Sequence, residues 1–226
     1  MRLDIWLVEQ GFFSSRQRAK RAIRAGKVLV NGSPAKPSTK IQGEDKITVL
    51  DYADRPLGYY KLMSLEKTLG HAIVNPGFRV LDIGSSAGGF LLYLHERGAH
   101  VTGIEISCTF AKHLSHLTQS LSNVEIIFGD AFRIDPREVG ERASFDVLLV
   151  DVTTNVSGTL QIIKRYYSLL RCDGLLIAAF KAPPLGPQTT LIESQLRELK
   201  FEGVRTVVLD RQRSEIHAIC RKHCSE

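Results

Sequence analysis

Short apolar segments alternate with helical stretches from about residue 78 to the end of this 226-residue chain. Segments that are apolar along their whole length and alternate with helices are typical of a mostly parallel sheet covered on both faces. We therefore predict a doubly wound α/β fold, in which only RQRS separates the last two strands, so that the final strand can run antiparallel. The predicted strands are FRVLDIG (78–84), HVTGIEI (100–106), VEIIFGD (124–130), FDVLLVD (145–151), GLLIAAFK (174–181), VRTVVLD (204–210) and EIHAIC (215–220), and the predicted helices lie around residues 87–97, 109–119, 157–170 and 187–200.

The first 50 residues have a different pattern and a different charge. RLDIWLVEQ and SRQRAKRAIRA predict two short amphipathic helices, the second capped by Ser14 or Ser15, and KVLVNG and KITVL predict two strands. Residues 1–50 contain ten Lys and Arg against four Asp and Glu, whereas residues 51–226 contain twenty of each. The whole net charge of +6 therefore lies in a small basic module, which indicates a polyanionic partner.

The second predicted helix carries most of that positive charge. Four of its basic side chains, Arg16, Lys20, Arg24 and Lys27, fall within an arc of about 80° at helical spacing. Ala19, Ala22 and Ile23 occupy another face. Because almost no acid interrupts the basic residues, we predict that one face packs and the other contacts phosphates; a solvated charged face is the alternative. The candidate phosphate-contact residues are Arg16, Arg18, Lys20, Arg21, Arg24 and Lys27.

Residues 1–50 resemble the RNA-binding domain named after ribosomal protein S4. The resemblance rests on MRLDIWLVEQGFFSSRQRAKRAIRAGKVLVNG together with KPSTKI and KITVL. It implies a small α+β domain that presents a basic surface to structured RNA, but it does not specify a reaction. The polar segment DYADRPLG (51–58) is predicted to be the linker to a second domain, residues 59–226.

The glycine-rich segment VLDIGSSAGGF (80–90) follows the first strand of that second domain. A nucleotide P-loop needs Gly-Lys-Ser/Thr after the turn, and a dinucleotide site needs a glycine where Ser86 stands, so neither phosphate motif fits. Glu105 ends the next strand, where an acid can bind ribose hydroxyls, and Asp130 ends the third strand, near the position of an adenine. A tight turn that needs glycine only for its backbone is the alternative.

This order of motifs, over about residues 78–220, resembles the donor site of the Rossmann-like class I methyltransferases. The resemblance implies S-adenosylmethionine as the cofactor. Because the whole set of matching residues lies beyond the linker, we expect the second domain to bind this donor without residues 1–50. The candidate donor-binding residues are Asp82, Gly84, Ser85, Ser86, Gly88, Gly89, Phe90, Glu105, Asp130 and Asp151.

The end of the fourth strand indicates whether the methylated group is a hydroxyl or an amine. VDVTTNVSG lacks the Asn/Asp-Pro-Pro-Tyr/Phe sequence of amine methyltransferases. It resembles the Asp-Met-Ala-Pro-Asn-x-Ser-Gly element of the FtsJ-like ribose 2'-O-methyltransferases, although Val152, Thr153 and Thr154 depart from that pattern. This resemblance implies a Lys-Asp-Lys-Glu tetrad around the target hydroxyl, formed here by Lys61, Asp151, Lys181 and Glu215.

Taken together, the two domains resemble the TlyA-type rRNA methyltransferases, some of which are labelled haemolysins. The resemblance implies 2'-O-ribose methylation of structured RNA, and we expect that RNA to be ribosomal. Ala182 stands where that family has a proline after the lysine of the fifth strand. An RNA-binding protein with an inactive methyltransferase fold and a membrane-lytic toxin remain as alternatives, but the intact tetrad disfavours the first, and no spanning or long amphipathic segment supports the second.

The chemistry of the tetrad follows from its residue types. A ribose hydroxyl is a weak nucleophile, so the site has to align it and remove its proton, and Lys181 is the candidate base. An ordinary lysine is neutral at pH 7 only at a cost of roughly 4.6 kcal/mol. A base at this position therefore needs Lys61 and partial burial to lower the pKa of Lys181, and Asp151 is expected to act in the opposite direction. Asp151 is expected to orient the amine, and Lys61 and Glu215 to hold the network and the ribose.

The remaining features exclude other classes of protein. The longest apolar runs are shorter than the roughly 20 residues of a membrane helix, so we expect a cytoplasmic protein with no membrane partner. Cys108 and the other cysteines form no dense framework, which indicates a reducing compartment and no redox role. Tyr59 and Tyr60 are predicted to pack, with stacking on an RNA base as the alternative. A metal is not expected at the cluster formed by His217, Cys220, His223 and Cys224.

Overall fold

The structure is a computed structural model of the chain. Within its described ranges, no helix has the length and apolar character needed to cross a membrane. The predicted linker residues 51–54, the alternative cap Ser14 and most of the RQRS segment lie outside the described residues. The described residues are 1–10, 12–13, 15–50, 55–183, 186–210 and 214–224.

The N-terminal module contains a small antiparallel sheet and two helices. Its elements are α1 (Leu3–Glu9), α2 (Arg16–Arg24), β1 (Val28–Val30), β2 (Ser33–Pro34) and β3 (Ile47–Val49), and the strand order is β2-β1-β3. Ser15 is the N-cap of α2, because its hydroxyl accepts a hydrogen bond from the Arg18 amide at 3.3 Å. Ala19 and Ile23 are buried in one cluster with residues of α1, which confirms the predicted packing face of α2.

A second, larger sheet follows. Its domain consists of α3 (Leu57–Leu69), β4 (Arg79–Ile83), α4 (Gly89–His95), β5 (His100–Glu105), α5 (Cys108–Gln119), β6 (Val124–Phe128), α6 (Pro136–Val139), β7 (Phe145–Val150), α7 (Val156–Tyr166), β8 (Leu170–Phe180), α8 (Pro187–Glu198), β9 (Phe201–Val207) and β10 (Ile216–Lys222). The strand order is β6-β5-β4-β7-β8-β10-β9. Strands β4 to β8 are parallel, and β10 runs antiparallel to both β8 and β9.

Helices cover both faces of this sheet. Leu62 of α3 and Leu114 of α5 belong to one buried cluster, whereas Ile163 of α7 belongs to the other. Since successive side chains of a strand point to opposite faces, Val80 packs in the first cluster and Leu81 in the second. The predicted doubly wound α/β fold with an antiparallel final strand is therefore confirmed.

Several elements differ from the sequence prediction, which does not include β2 or α6 and which begins β8 at residue 174 rather than at Leu170. Helix α3 begins at Leu57, inside the expected linker 51–58. The sequence pattern does not predict α3, because no side chain caps its first turn and its first residues belong to the polar segment interpreted as a linker. Strand β9 covers residues 201–207 rather than 204–210, since its pairing with β10 places Phe201 opposite Lys222.

The parallel strands end at one edge of the sheet, and the predicted site residues follow their carboxyl ends. Gly84 follows β4, Glu105 ends β5, Asp130 lies just beyond β6, Asp151 follows β7 and Lys181 follows β8. Ligands of open parallel sheets bind in the crevice outside this edge. The topology therefore gathers residues that are far apart in the sequence.

A disulfide joins Cys172 in β8 to Cys224 after β10, with the two Cα atoms 5.3 Å apart. The start of β8 lies beside the end of β10, because the antiparallel register pairs Leu175 with Arg221. The sequence pattern does not predict this bond between residues 52 positions apart. Cys108 and Cys220 are free.

Candidate active site

Four charged side chains meet at the carboxyl edge of the sheet. Lys61 Nζ on α3 lies 2.6 Å from Asp151 Oδ2 and 2.7 Å from Glu215 Oε1. Lys181 Nζ lies 2.9 Å from Asp151 Oδ1 and also contacts Glu215 Oε2. The two ammonium groups and the two carboxylates thus alternate around a closed ring, here called the tetrad ring. The structure brings together all four predicted members, with Glu215 immediately before β10 rather than within it.

The charges of the tetrad ring determine its protonation. Burial alone would raise the pKa of Asp151, but Lys61 and Lys181 outweigh burial and hold that pKa below its ordinary value. Burial alone would lower the pKa of Lys181, yet Asp151 and Glu215 raise it above its ordinary value. Asp151 therefore acts on Lys181 in the expected direction, and together with Glu215 it outweighs the lowering effect of burial.

The glycine turn after β4 packs directly against the elements that carry the tetrad ring. A Cβ atom on Gly84 would lie 2.3 Å from the carbonyl oxygen of Asp151. A Cβ atom on Gly89 would lie 2.6 Å from the Tyr59 amide nitrogen and 2.9 Å from Gly58 Cα, at the start of α3. Both glycines thus have a packing reason of their own. This close approach fixes the turn relative to Asp151 and to the helix that carries Lys61.

An open cavity of about 430 Å³ lies beside the tetrad ring, and all four tetrad residues line it. The sequence interpretation misses other lining residues, among them Leu57, Ser64 and His217. Helical spacing from Lys61 identifies Leu57 and Ser64 once α3 is known, and the two-residue period of a strand relates His217 to Glu215. The predicted donor residues that line the cavity are Gly84, Ser85, Ser86, Gly89, Phe90 and Asp151.

Two predicted donor acids lie behind this cavity. Asp82 is fully buried, neither of its carboxylate oxygens has a hydrogen-bond partner among the described residues, and burial raises its pKa to about 7, with Asp151 and Glu105 acting in the same direction. Glu105 accepts hydrogen bonds from the amides of Ser86 and Ser107, each at 2.7 Å. Glu105 therefore anchors the glycine turn to the end of β5, while its oxygens keep lone pairs for hydroxyl groups.

Exposed apolar side chains surround the predicted ribose and adenine positions. Ile106, Phe128 and Phe132 are 65%, 45% and 37% exposed. Phe128 pairs with Glu105 across β5 and β6, and the Phe132 amide donates to Asp130 Oδ1 at 2.9 Å. Apolar surface beside a few polar groups is typical of small-molecule sites. This chemistry, with the unpaired carboxyl of the buried Asp82 nearby, fits an adenosine-containing donor.

Two aromatic residues at the start of α3 have different surroundings. The Tyr59 hydroxyl donates to Glu96 at 2.7 Å, and its ring meets the Tyr93 ring edge-on at 5.1 Å. Tyr59 therefore packs within the domain, whereas Tyr60 lines the cavity. Contact between Tyr60 and an RNA base stays a prediction.

The histidines and cysteines of the last strand lie in separate environments. His217 Nε2 is 3.1 Å from Glu215 Oε1, His223 Nδ1 is 2.6 Å from Glu202 Oε1, and Cys224 is bonded to Cys172. Among the described residues, no group of His, Cys, Asp and Glu is arranged to hold a metal ion.

The basic face of α2 is interrupted by an acid from α1. Asp4 is fully buried and lies 3.0 Å from Arg16 and 3.8 Å from Lys20, besides its hydrogen bond with Arg2. Hydrogen bonding from Arg2, helped by Arg16, lowers the pKa of Asp4 to about 2 although burial opposes this shift. The sequence of α2 itself contains no acid, but the fold places Asp4 of α1 beneath its basic face. Within the described ranges, the exposed Arg21 and Arg24 have no ion-pair partner.

Comparisons with known proteins identify a family model for each of two parts of the chain. A family model described as FtsJ-like methyltransferase matches residues 55–220, and a model described as S4 domain matches residues 1–47. The 16S/23S rRNA (cytidine-2'-O)-methyltransferase TlyA of Mycobacterium tuberculosis is 33% identical over 161 residues, which cover 67% of this chain and 56% of that protein. The chain thus spans little more than half the length of this relative.

Solved structures share the fold. A Streptococcus thermophilus protein provisionally described as a hemolysin aligns with 100% of this chain and 89% of its own, with a TM-score of 0.60 and 21% identity. Fibrillarin from Aeropyrum pernix aligns with 81% of this chain and 85% of its own, with a TM-score of 0.62 and 21% identity.

Proposed function

We propose that this chain, which belongs to the FtsJ-like methyltransferase family, transfers a methyl group from S-adenosylmethionine to a ribose 2'-hydroxyl of structured RNA. The observation that carries the proposal is the tetrad ring beside the glycine turn. A ring of alternating lysines and carboxylates at the mouth of a donor site is suited to aligning a hydroxyl and accepting its proton.

Ribosomal RNA is the proposed substrate. Two observations support it: the S4-type module at residues 1–47, and the name of the Mycobacterium relative. The excess positive charge of residues 1–50 suits a polyanion, since phosphate contacts supply most non-specific affinity for nucleic acids. A ribosomal substrate is also consistent with the expected cytoplasmic location.

Each tetrad residue has a proposed role in the transfer. When bound, the donor supplies a methyl group on a sulfonium, whose sulfur keeps the electron pair of the broken S–C bond as the new O–C bond forms. Neutral Lys181 accepts the proton of the 2'-hydroxyl at Nζ. Asp151 orients the Lys181 amine through the 2.9 Å contact, and Lys61 holds Asp151 and Glu215 in place.

Lys181 has to lose a proton before it acts as a base. Asp151 and Glu215 raise its pKa above the ordinary value. Lys181 would face a further positive charge beside the donor, and like charges lower the pKa of an ammonium by one unit for each 1.36 kcal/mol or so of repulsion. We therefore propose that donor binding prepares Lys181 for proton transfer.

The test is single-turnover methylation of rRNA by the full chain. Lys181→Ala should retain donor and RNA affinity and lose at least about 100-fold in rate, the scale of a lost general base. Lys164→Ala, at an exposed lysine of α7, is the matched control and should react like the wild type. The wild-type rate should rise between pH 6 and roughly 9 as Lys181 loses its proton.

A wild-type chain that binds donor but methylates no ribose would favour the alternative, an RNA-binding protein with an inactive fold. Mass mapping of ribose methylation in rRNA from cells with and without the protein would identify the nucleotide. A pH-independent rate, with chemistry shown to be limiting, would remove Lys181 from the role of base.

A further inference from the structure

The glycine turn is held at two adjacent residues by groups outside it. The Ser86 amide donates to Glu105 Oε2 at 2.7 Å, and the Ala87 carbonyl oxygen lies 3.2 Å from His113 Nε2 on α5. Ser86 and Ser85 line the candidate donor cavity, as does Ala87. The position of His113 therefore bears directly on the shape of the proposed donor site.

Helix α5 forms the wall behind this turn. A Cβ atom on Gly88 would lie 2.5 Å from Leu117 Cδ2 and 3.3 Å from Leu114 Cδ2, so the helix touches the turn without a gap. His113 is 6% exposed, and burial lowers its pKa to about 4. At neutral pH the imidazole is uncharged and has one N–H, which the carbonyl of Ala87 accepts when the proton is on Nε2.

A residue of the N-terminal module covers this histidine. Phe12 lies between α1 and α2 and is 3% exposed. Its ring meets the His113 ring edge-on, with centroids 4.4 Å apart and planes at 79°, and it also stacks on Trp6 at 5.6 Å. Aromatic pairs in this geometry contribute beyond the area that they bury. The contact with Phe12 thus restricts the orientations that the His113 ring can adopt.

We propose that Phe12 of the N-terminal module and His113 of α5 are positioning residues of the donor site, with Phe12 seating the imidazole that holds the Ala87 carbonyl. The inference rests on the proposed function, because it takes the cavity beside the turn as the donor site. It predicts that donor affinity depends on the N-terminal module. This is the opposite of the expectation from the sequence that the second domain binds the donor by itself.

The experiment is calorimetric titration of the full chain with S-adenosylmethionine and with S-adenosylhomocysteine. His113→Ala should weaken the binding of both ligands about tenfold, because it removes the imidazole N–H that hydrogen-bonds to the Ala87 carbonyl oxygen. His113→Gln should stay within about threefold of wild type, because a glutamine amide N–H reaches the position of Nε2. His116→Ala, at an exposed histidine of the same helix, is the matched control.

A double-mutant cycle tests the contribution of Phe12. Phe12→Leu keeps an apolar side chain but loses the ring, and should weaken donor binding by about threefold in the wild type and not at all in the His113→Ala background. In steady state, the Michaelis constant for the donor should rise while the turnover number changes little. Thermal unfolding of each variant verifies that it is folded. If His113→Ala does not fold, His113→Gln and Phe12→Leu still test the proposal.

The outcomes separate this inference from the proposed function. A wild-type chain that binds neither ligand would refute the donor site itself. If the wild type binds both ligands and His113→Ala binds them equally well, the role of His113 is overturned while the donor site stands. The same conclusion follows if His113→Gln and His113→Ala weaken binding equally. An equal effect of Phe12→Leu in both backgrounds would overturn the role of Phe12.

Discussion

At the scale of single residues, Asp82 carries a carboxyl group that is fully removed from water. Its carboxyl is fully buried without a hydrogen-bond partner among the described residues, and burial raises its pKa to about 7 from an ordinary value of 3.8. The native state therefore keeps a proton that the unfolded chain releases near pH 4. The favourable contribution of the protonated Asp82 carboxyl to the free energy of unfolding is therefore complete below about pH 4 and is lost as the pH rises through 7.

This linkage predicts the effect of Asp82→Asn, which keeps the shape of the neutral acid. A shift of about 3 pKa units corresponds to roughly 4 kcal/mol, so at pH 8 the free energy of unfolding of the variant should exceed that of the wild type by up to that amount. At pH 4 the variant and the wild type should have similar free energies of unfolding. Urea unfolding of both proteins at pH 4 and pH 8 measures this difference in the free energy of unfolding. Glu141→Gln, at an exposed acid, is the control, and a stability difference for Asp82→Asn that does not change with pH would contradict the raised pKa.

At the scale of elements, the contact between α3 and α4 positions Lys61. Gly89→Ala adds a Cβ atom 2.6 Å from the Tyr59 amide nitrogen, and backbone cannot yield as a side chain can. We expect a loss of about 1–3 kcal/mol in the free energy of unfolding, as for other overpacked sites. We also expect a fall in methylation rate, because α3 moves away from Asp151.

Unfolding and single-turnover assays of Gly89→Ala test this packing. Gly43→Ala is the matched control, because a Cβ atom there has no neighbour within 4 Å. Wild-type stability and rate in Gly89→Ala would mean that α3 and α4 pack less tightly than the structure describes.

Helix α2 offers a second test at this scale, because its cations differ in their partners. Arg21 and Arg24 are exposed, whereas Arg16 is bound to Asp4. If Arg21 contacts an RNA phosphate, Arg21→Ala should reduce the slope of log affinity against log salt by about 0.7–0.9. Arg16→Ala should change that slope less and lower stability more, since it removes a partner of the buried Asp4.

The measurement is RNA affinity at several salt concentrations, with urea unfolding of each variant. Lys67→Ala, at an exposed lysine of α3, is the control for loss of one positive charge. Equal slopes for Arg16→Ala and Arg21→Ala would show that Asp4 does not withdraw Arg16 from the RNA.

At the scale of the whole molecule, the Cys172–Cys224 disulfide closes a loop of 52 positions and ties the end of the chain to β8. A cross-link of this span stabilises a protein by about 4 kcal/mol in the chain-entropy description. Cys172→Ser should therefore lower the free energy of unfolding by an amount of that order in oxidising buffer. The difference should disappear in reductant, because the wild type then has no cross-link either.

Cys108→Ser is the control, since Cys108 is free and exposed. Mass spectrometry of thiol-alkylated protein gives the bonding state directly. Stability of the wild type that is the same with and without reductant would show that the bond does not form in solution, in agreement with the reducing compartment expected from the sequence.

The sequence by itself determined the class of fold, and its resemblance to the FtsJ-like family implied the members of the tetrad. Strand candidates such as VLDI and FDVLLV are apolar on both faces, and this local property is enough to predict a sheet covered on both sides. Asp151 and Lys181 follow such strands, and in a parallel sheet the ends of strands meet at one edge whatever the details of packing. The segregation of charge into residues 1–50 likewise needs no coordinates.

Only the tertiary structure decided how these residues act on one another. Lys61 and Asp151 are 90 positions apart, so neither local pattern nor spacing indicates that they are in direct contact. The contacts of Lys181 with Asp151 and Glu215, which raise its pKa, likewise depend on the folded structure. Asp4 is an ordinary acid in the sequence and becomes the buried partner of Arg16 only when α1 packs on α2. Electrostatic energies depend on distance and burial in space, and both are set by which elements pack together.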